Sequence, residues 1–191
     1  LAEMMSVLQL PVPHGFTIST DACRAYMHGG WPKALDDEMS RQVASLEKKM
    51  GRKLGDANDP LLVSVRSGAK FSMPGMMDTV LNLGLNDKSV EGLARSTGND
   101  RFAYDSYRRF ISMYGRIVLG LDGEVFEHEL EKAKSNANVR NDAEIPAEVL
   151  KQLCQVYKTA IAQETGKPFP QDPTKQLRGA VEAVFRSWNG P

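Results

Sequence analysis

The segment from Ser64 to Thr79 holds the residues of this chain best suited to chemistry on anions. Arg66 carries a planar fork of N–H donors that matches the oxygens of a phosphate. Gly68 follows it, and Pro74-Gly75 makes a tight turn further on. Glycine in such a loop lets backbone N–H groups come close to a polyphosphate. Two readings of Arg66 stand side by side: a phosphate ligand, or an arginine paired with a carboxylate at a strand end. Gly68 and the loop from Ser72 to Thr79 favour the first. Met73, Met76 and Met77 flank the turn, either as adaptable contacts for a flat ring or as core filler. Asp78 and Thr79 read as caps of a helix starting near Thr79, which would set the loop at an anion-favouring helix N-terminus.

Other chemistries find little support. The glycine patterns of a Walker A loop and of a dinucleotide-binding turn are both absent from the sequence. His14, His28 and His128 lack metal spacing and a nearby nucleophile, and read as structural or exposed. No group of carboxylates forms a recognisable acid–base pair or magnesium cluster, which phosphoryl transfer would require. Asp105, Arg108 and Arg109 fall on the polar side of a long helical pattern. Their default reading is a solvated face with an i,i+4 pair from Asp105 to Arg109; the alternative is an arginine turned toward phosphate or toward a docking domain.

The elements that must position Arg66 follow from apolar spacing. Leu61 to Val65 reads as an unbroken, buried strand delivering Arg66 at its end. Gly15 to Ile18 is a shorter strand candidate. Thr20 or Asp21 can cap a first helix that ends near Gly29-Gly30. Leu35, Met39, Val43, Leu46 and Met50 make the stripe of a second helix, stopped by Gly51. From about residue 86 to 169 the pattern is helical. A short helix runs from Val90 to Ser96. A long one from Arg101 to Leu119 carries Tyr107, Phe110, Ile111, Tyr114, Ile117 and Val118 on one face. A third runs from Glu124 to Lys134, with Phe126, Leu130 and Ala133. After an exposed Asn-rich loop over Ser135 to Asp142, Pro146 opens a helix to Gln163 with Leu150, Leu153, Cys154, Tyr157 and Ile161 inward. A last helix from Thr174 to Trp188 buries Leu177, Val181, Val184, Phe185 and Trp188. The expected organisation is an α/β part over 1–85 with the phosphate loop, a helical subdomain over 86–170, and a helix over 171–191 returning to the first part.

Composition sets the outer bounds. Of the 191 residues, 41% are hydrophobic and 25% charged, as in an ordinary globular protein. Twenty-four basic residues balance twenty-four acidic ones, so no basic excess calls for nucleic acid. No apolar run approaches the roughly 20 residues that cross a bilayer. Cys23 and Cys154 lack a C-x-x-C partner; neither zinc nor a disulfide framework is indicated, and Cys154 reads as a buried inert thiol. That usage fits the reducing cytoplasm. The start at Leu1 and the stop after Trp188 read as a piece cut from a longer chain.

Several stretches together resemble one family. They are Val12 to Thr20, Pro60 to Ala69, Ser72 to Gly84, Gly98-Asn99, Arg101 to Phe110, Phe169 to Pro173 and Ala183 to Trp188, in that order along the chain. The resemblance is to the N-terminal nucleotide-binding domain of the pyruvate, phosphate dikinases, and it covers essentially all 191 residues. The Ser72 to Met77 loop is its most specific part, because the related phosphoenolpyruvate synthases keep the strand and arginine but not this loop. The resemblance implies an α+β fold: the first lobe of an ATP-grasp domain with a mainly helical inserted subdomain. It implies an enzyme that converts ATP, phosphate and pyruvate to AMP, pyrophosphate and phosphoenolpyruvate through a phosphohistidine on a swivelling domain. By position, Arg66 would bind ATP phosphates, backbone N–H groups near Gly75 and Met77 would hold the terminal phosphoryl, and Arg109 would contact phosphate or a docking domain. The family's glycine-rich segment, its Mg2+ ligands and its acceptor histidine have no counterpart here, so the 191 residues alone are expected to be inactive. Implied partners are ATP, the swivelling domain and the pyruvate-binding barrel of the same full chain, and a second copy in a homodimer. The location expected is the cytoplasm, with an organelle as the alternative in some eukaryotic relatives. A contrasting reading is a catalytically inert interaction or regulatory module that retains the fold.

Overall fold

A computed structural model describes residues 4, 7–10, 12–68 and 79–188. The chain divides into two compact units, Leu1–Arg52 and Lys53–Pro191.

The first unit holds two helices that lie wholly within the described residues. Ser19, rather than Thr20 or Asp21, caps α1 (Thr20–Gly29) by accepting from the Ala22 N–H. The chain leaves through Gly30 at φ 76°, whose N–H returns to the Tyr26 carbonyl. Tyr26 and Trp31 then meet edge to face, and the Trp31 indole donates to Asp36 at 2.9 Å. α2 (Lys33–Met50) buries Met39 and Leu46 from the expected stripe and stops at left-handed Gly51. Gly15 to Ile18 form no strand: residues 12–19 have no regular structure. An isolated extended segment has no ladder to complete, and the apolar alternation alone does not supply one.

The second unit is α+β. Two short strands, β1 (Lys53–Leu54) and β2 (Pro60–Leu61), pair in parallel. β3 (Val63–Arg66) and β4 (Thr79–Leu83) pair antiparallel, with an irregularity between Val63 and Val65. The expected unbroken strand over Leu61 to Val65 is therefore two strands. It is not uniformly buried either, because β3 alternates between half-buried and exposed positions. The helix expected to begin near Thr79 is instead β4. Val80 and Leu83 suit either period on so short a segment. Pairing with β3 settles the choice, and Val80 and Leu83 become fully buried.

The helices follow their sequence signals closely. They are α3 (Ser89–Thr97), α4 (Asp100–Ile117), α5 (Gly123–Asn136), α6 (Ala147–Thr165) and α7 (Pro173–Ser187). Side-chain oxygens of Asn99, Asp122 and Asp172 cap α4, α5 and α7, and left-handed Gly98 and Gly166 end α3 and α6. α4 is the hub, packing against α3, α6 and β4. Phe169 lies edge to face with Tyr107, Phe110 and Tyr114, at centroid distances of 6.4, 5.7 and 5.6 Å. Rings at such spacing add about 0.5–1.5 kcal/mol per pair beyond their buried area. α3 approaches the β1–β2 turn closely enough that a Cβ on Gly92 would sit 2.5 Å from the Ala57 carbonyl oxygen. Only glycine fits there.

Two expectations about α4 and its surroundings change. Arg108 is not on a solvated face; only 5% of it is exposed. The Asn-rich stretch is not a free loop: α5 extends to Asn136, and Asp142–Glu144 form a 3-10 turn tied back to α4. Among the described residues no helix is long and apolar enough to cross a membrane.

Candidate functional site: the end of the β3–β4 hairpin

Val65 pairs with Val80 and Arg66 with Thr79 across the hairpin. Successive strand residues point to opposite faces. The Val65–Val80 pair looks into the core, and Arg66 and Thr79 share the open face, where Arg66 is exposed. No carboxylate partner of Arg66 stands among the described residues. The stretch from Ala69 to Asp78 joins β3 to β4 in the sequence. It carries the expected sites Gly75 and Met77 and the methionines Met73 and Met76, all of which lie outside the described residues. The proposed helix cap at Thr79 does not exist, so no helix N-terminus supports the loop from that side.

The hairpin is braced from behind. α7 packs against both strands and α4 against β4. The Leu81 N–H donates to Met113 Sδ at 3.2 Å, which seats α4 along β4. Gln176 on α7 is fully buried. Its Oε1 accepts from the Gly84 N–H at 3.1 Å, and its Nε2 donates to the carbonyls of Leu85 and Pro170 at 2.9 and 2.8 Å. The Gly84 N–H and Leu85 carbonyl lie just past β4 and the Pro170 carbonyl in the linker before α7, and a single amide satisfies all three. Ser89 adds a donation to the Gly84 carbonyl at 2.8 Å. At the far end of α7, the Trp188 indole donates to Ser67 Oγ at 3.0 Å. Trp188 was expected inward; it is 45% exposed, with its polar edge turned to Ser67.

Arg109 belongs to a different cluster. Its Nε donates to Asp105 Oδ2 at 3.0 Å while its side chain stays exposed. The neighbouring Arg108 bridges Asp105 and Asp142, with both contacts at 2.9 Å. Burial opposes the charge on Arg108, and the two carboxylates outweigh it, so its pKa rises. Burial likewise opposes the Asp142 carboxylate, but Arg108 and Lys134 hold its pKa below the usual value. Along α4, Tyr107 Oη donates to Asp87 at 2.9 Å while Met113 meets Leu81, so α4 runs antiparallel to the segment 81–87. Arg109 therefore lies on the Asp87 side of Met113, away from the end of β4 that carries Thr79. The structure does not bring Arg109 and Arg66 together.

The remaining candidates are quickly placed. His14, His28 and His128 are all exposed. Cys154 is 1% exposed, and burial pushes its thiol up to about 12, as befits an inert core position. Among the described residues no three His, Cys, Asp or Glu side chains gather in a way that could hold a metal ion. Ser67, Trp188 and Gln176 were missed from the sequence as parts of this site. Asp172 before Pro173 marked the start of α7, but nothing local pointed to its partners on the hairpin.

Comparison with known proteins bears on the same residues. The family model described as pyruvate phosphate dikinase, AMP/ATP-binding domain, matches residues 29–191. The chain is 52% identical over 192 residues to the pyruvate, phosphate dikinase of Giardia intestinalis, covering all of this chain and 22% of that protein. It is 53% identical over 193 residues to that of Rhizobium meliloti (strain 1021), covering 21% of it, and 50% identical to that of Clostridium symbiosum, covering 22%. The chain thus spans about a fifth of the length of these relatives.

Proposed function

Because the chain belongs to the pyruvate phosphate dikinase AMP/ATP-binding domain family, we propose that it forms one wall of an ATP site in a pyruvate, phosphate dikinase. In this reading the full protein transfers a pyrophosphoryl group from ATP to a histidine on a swivelling domain, releasing AMP. Phosphate then takes the terminal phosphoryl as pyrophosphate, and the remaining phosphohistidine phosphorylates pyruvate at a barrel domain. The fold is the first lobe of an ATP-grasp domain. Within it we divide the chain into the hairpin part over 1–85, a helical subdomain over 86–170, and the return of α7 over 171–191.

The observation that carries the reading is Arg66. An arginine held at the end of a strand, exposed and with no carboxylate partner among the described residues, offers its fork to an anion from outside. The loop beside it supplies Gly75 and Met77, whose N–H groups would hold the terminal phosphoryl. Donors fixed before the reaction stabilise charge as it develops. Arg109 has its Nε on Asp105, and an exposed, paired guanidinium suits docking of the swivelling domain better than phosphate contact. Mg2+ would accompany ATP; the described residues form no site that fits it, so no step here passes through it. We place the protein in the cytoplasm as a homodimer; the relatives from Arabidopsis thaliana, Flaveria trinervia, Oryza sativa subsp. japonica and Mesembryanthemum crystallinum are named chloroplastic.

The test is retention of label by the full-length protein. After incubation with phosphate and ATP labelled at the β-phosphorus, the protein should hold acid-labile label and release AMP. A full-length protein that takes up no label would instead be the inert interaction module that keeps the fold.

A further inference from the structure

We propose that Trp188 is a positioning residue for Arg66, acting through Ser67. The inference rests on the ATP-site reading above. Val65 faces the covered side and Arg66 the open side. Continuing that alternation, the side chain of Ser67 returns to the covered side, where α7 packs. There the indole of Trp188 meets it at 3.0 Å across 121 residues of sequence. An indole N–H only donates, so Ser67 Oγ is the acceptor and the bond has one sense. The bond pins the first residue of the connection from behind. With half-buried Val65 paired to fully buried Val80 and Ser67 held by α7, the peptide units on both sides of Arg66 are fixed, and its side chain is presented to the open face.

The rest of α7 is well anchored for this role. Phe185 and Val184 are buried one turn earlier, and Arg186 donates to the Val118 carbonyl at the end of α4. The brace is therefore stiff at its own base. Trp188 touches no phosphate in this account. It lowers the cost of ordering Arg66 for binding, which is where preorganisation acts on affinity.

The experiment uses the full-length protein with Trp188→Phe, Ser67→Ala, Ser67→Thr and Arg66→Ala. Both half-reactions are followed: ATP/AMP exchange and pyruvate/phosphoenolpyruvate exchange. A neutral hydrogen bond of this kind translates to an effect of about three- to tenfold. Trp188→Phe and Ser67→Ala should each raise the KM for ATP by that factor and leave pyruvate exchange unchanged. The double variant should be no worse than either single, since both remove one bond. Ser67→Thr, which keeps the acceptor, should restore the wild-type KM. If Arg66→Ala impairs ATP exchange while Trp188→Phe and Ser67→Ala leave the KM untouched, the brace is wrong and the ATP site stands. If the two single effects add, the residues act separately and the inference fails. If Trp188→Phe depresses both half-reactions in parallel, Trp188 serves folding rather than Arg66. If Arg66→Ala itself leaves ATP exchange intact, the underlying site reading falls.

Discussion

Gln176 and Gly84 are joined by a buried hydrogen bond across 92 residues of sequence, from the Gly84 N–H to the Gln176 side-chain oxygen at 3.1 Å. The same amide nitrogen holds the Leu85 and Pro170 carbonyls. One side chain thus closes the exit of β4, the linker before α7 and the first turns of α7 into a single unit behind the hairpin that carries Arg66.

Gln176→Ala should therefore be among the most damaging single substitutions in the chain. It removes the partner of one donor and two acceptors that a fully buried amide now satisfies. Each stranded group costs about 1–3 kcal/mol, and the three are not independent. A loss of about 3 kcal/mol is expected, seen as a fall in Tm of roughly 6–12 °C for a chain of this size. A fall within about 2 °C would mean that the amide does not hold these groups.

The Arg108 cluster predicts a pH dependence of the helical part. Asp142 has a folded-state pKa below its ordinary value, with burial opposing and Arg108 and Lys134 favouring the charged form. A lowered carboxyl contributes stability that is fully present above the unfolded value of about 3.9 and is lost as pH falls through the folded value. Asp142→Asn should be less stable than the parent at neutral pH, and the gap should narrow as pH drops below about 4. Melting temperatures of the two proteins across pH 2.5 to 7 (about that range suffices) check this; a gap that widens in acid would contradict it.

Cys154 should be silent in the folded protein. Its thiol is raised to about 12 by burial, and its Sγ rests 3.6 Å from the Tyr104 carbonyl. The thiolate is the reactive form. Treated with iodoacetamide near pH 8 (roughly half a unit below the free thiol value), Cys154 should stay unmodified until denaturant is added. Mass spectrometry of the peptide containing Cys154 reads the outcome, and rapid native modification would show that α4 and α6 open readily.

Helices were legible because period and punctuation agree. α6 shows why: Leu150, Leu153, Cys154, Tyr157 and Ile161 recur at helical spacing, Pro146 precedes them and Gly166 follows, and all five are buried. The strands were not, because they are short and depend on partners. Thr79–Leu83 fits a helix or a strand until β3 lies beside it. Gly15 to Ile18 looked extended and found no partner. The α+β class and the place of Arg66 at a strand end were both readable. The brace from Trp188 and the lock from Gln176 were not, since they join residues 121 and 92 positions apart. Arg108 misled for a related reason: its burial depends on Asp142, which arrives from another element.

The proposed ATP site puts the phosphates of ATP on Arg66, at the end of β3. The most direct measurement is the two half-reactions of the full-length protein carrying Arg66→Ala. ATP/AMP exchange should fall by about 10²-fold or more, while pyruvate/phosphoenolpyruvate exchange continues at the wild-type rate. An Arg66→Ala protein that exchanges ATP with AMP as fast as the wild type would contradict the account.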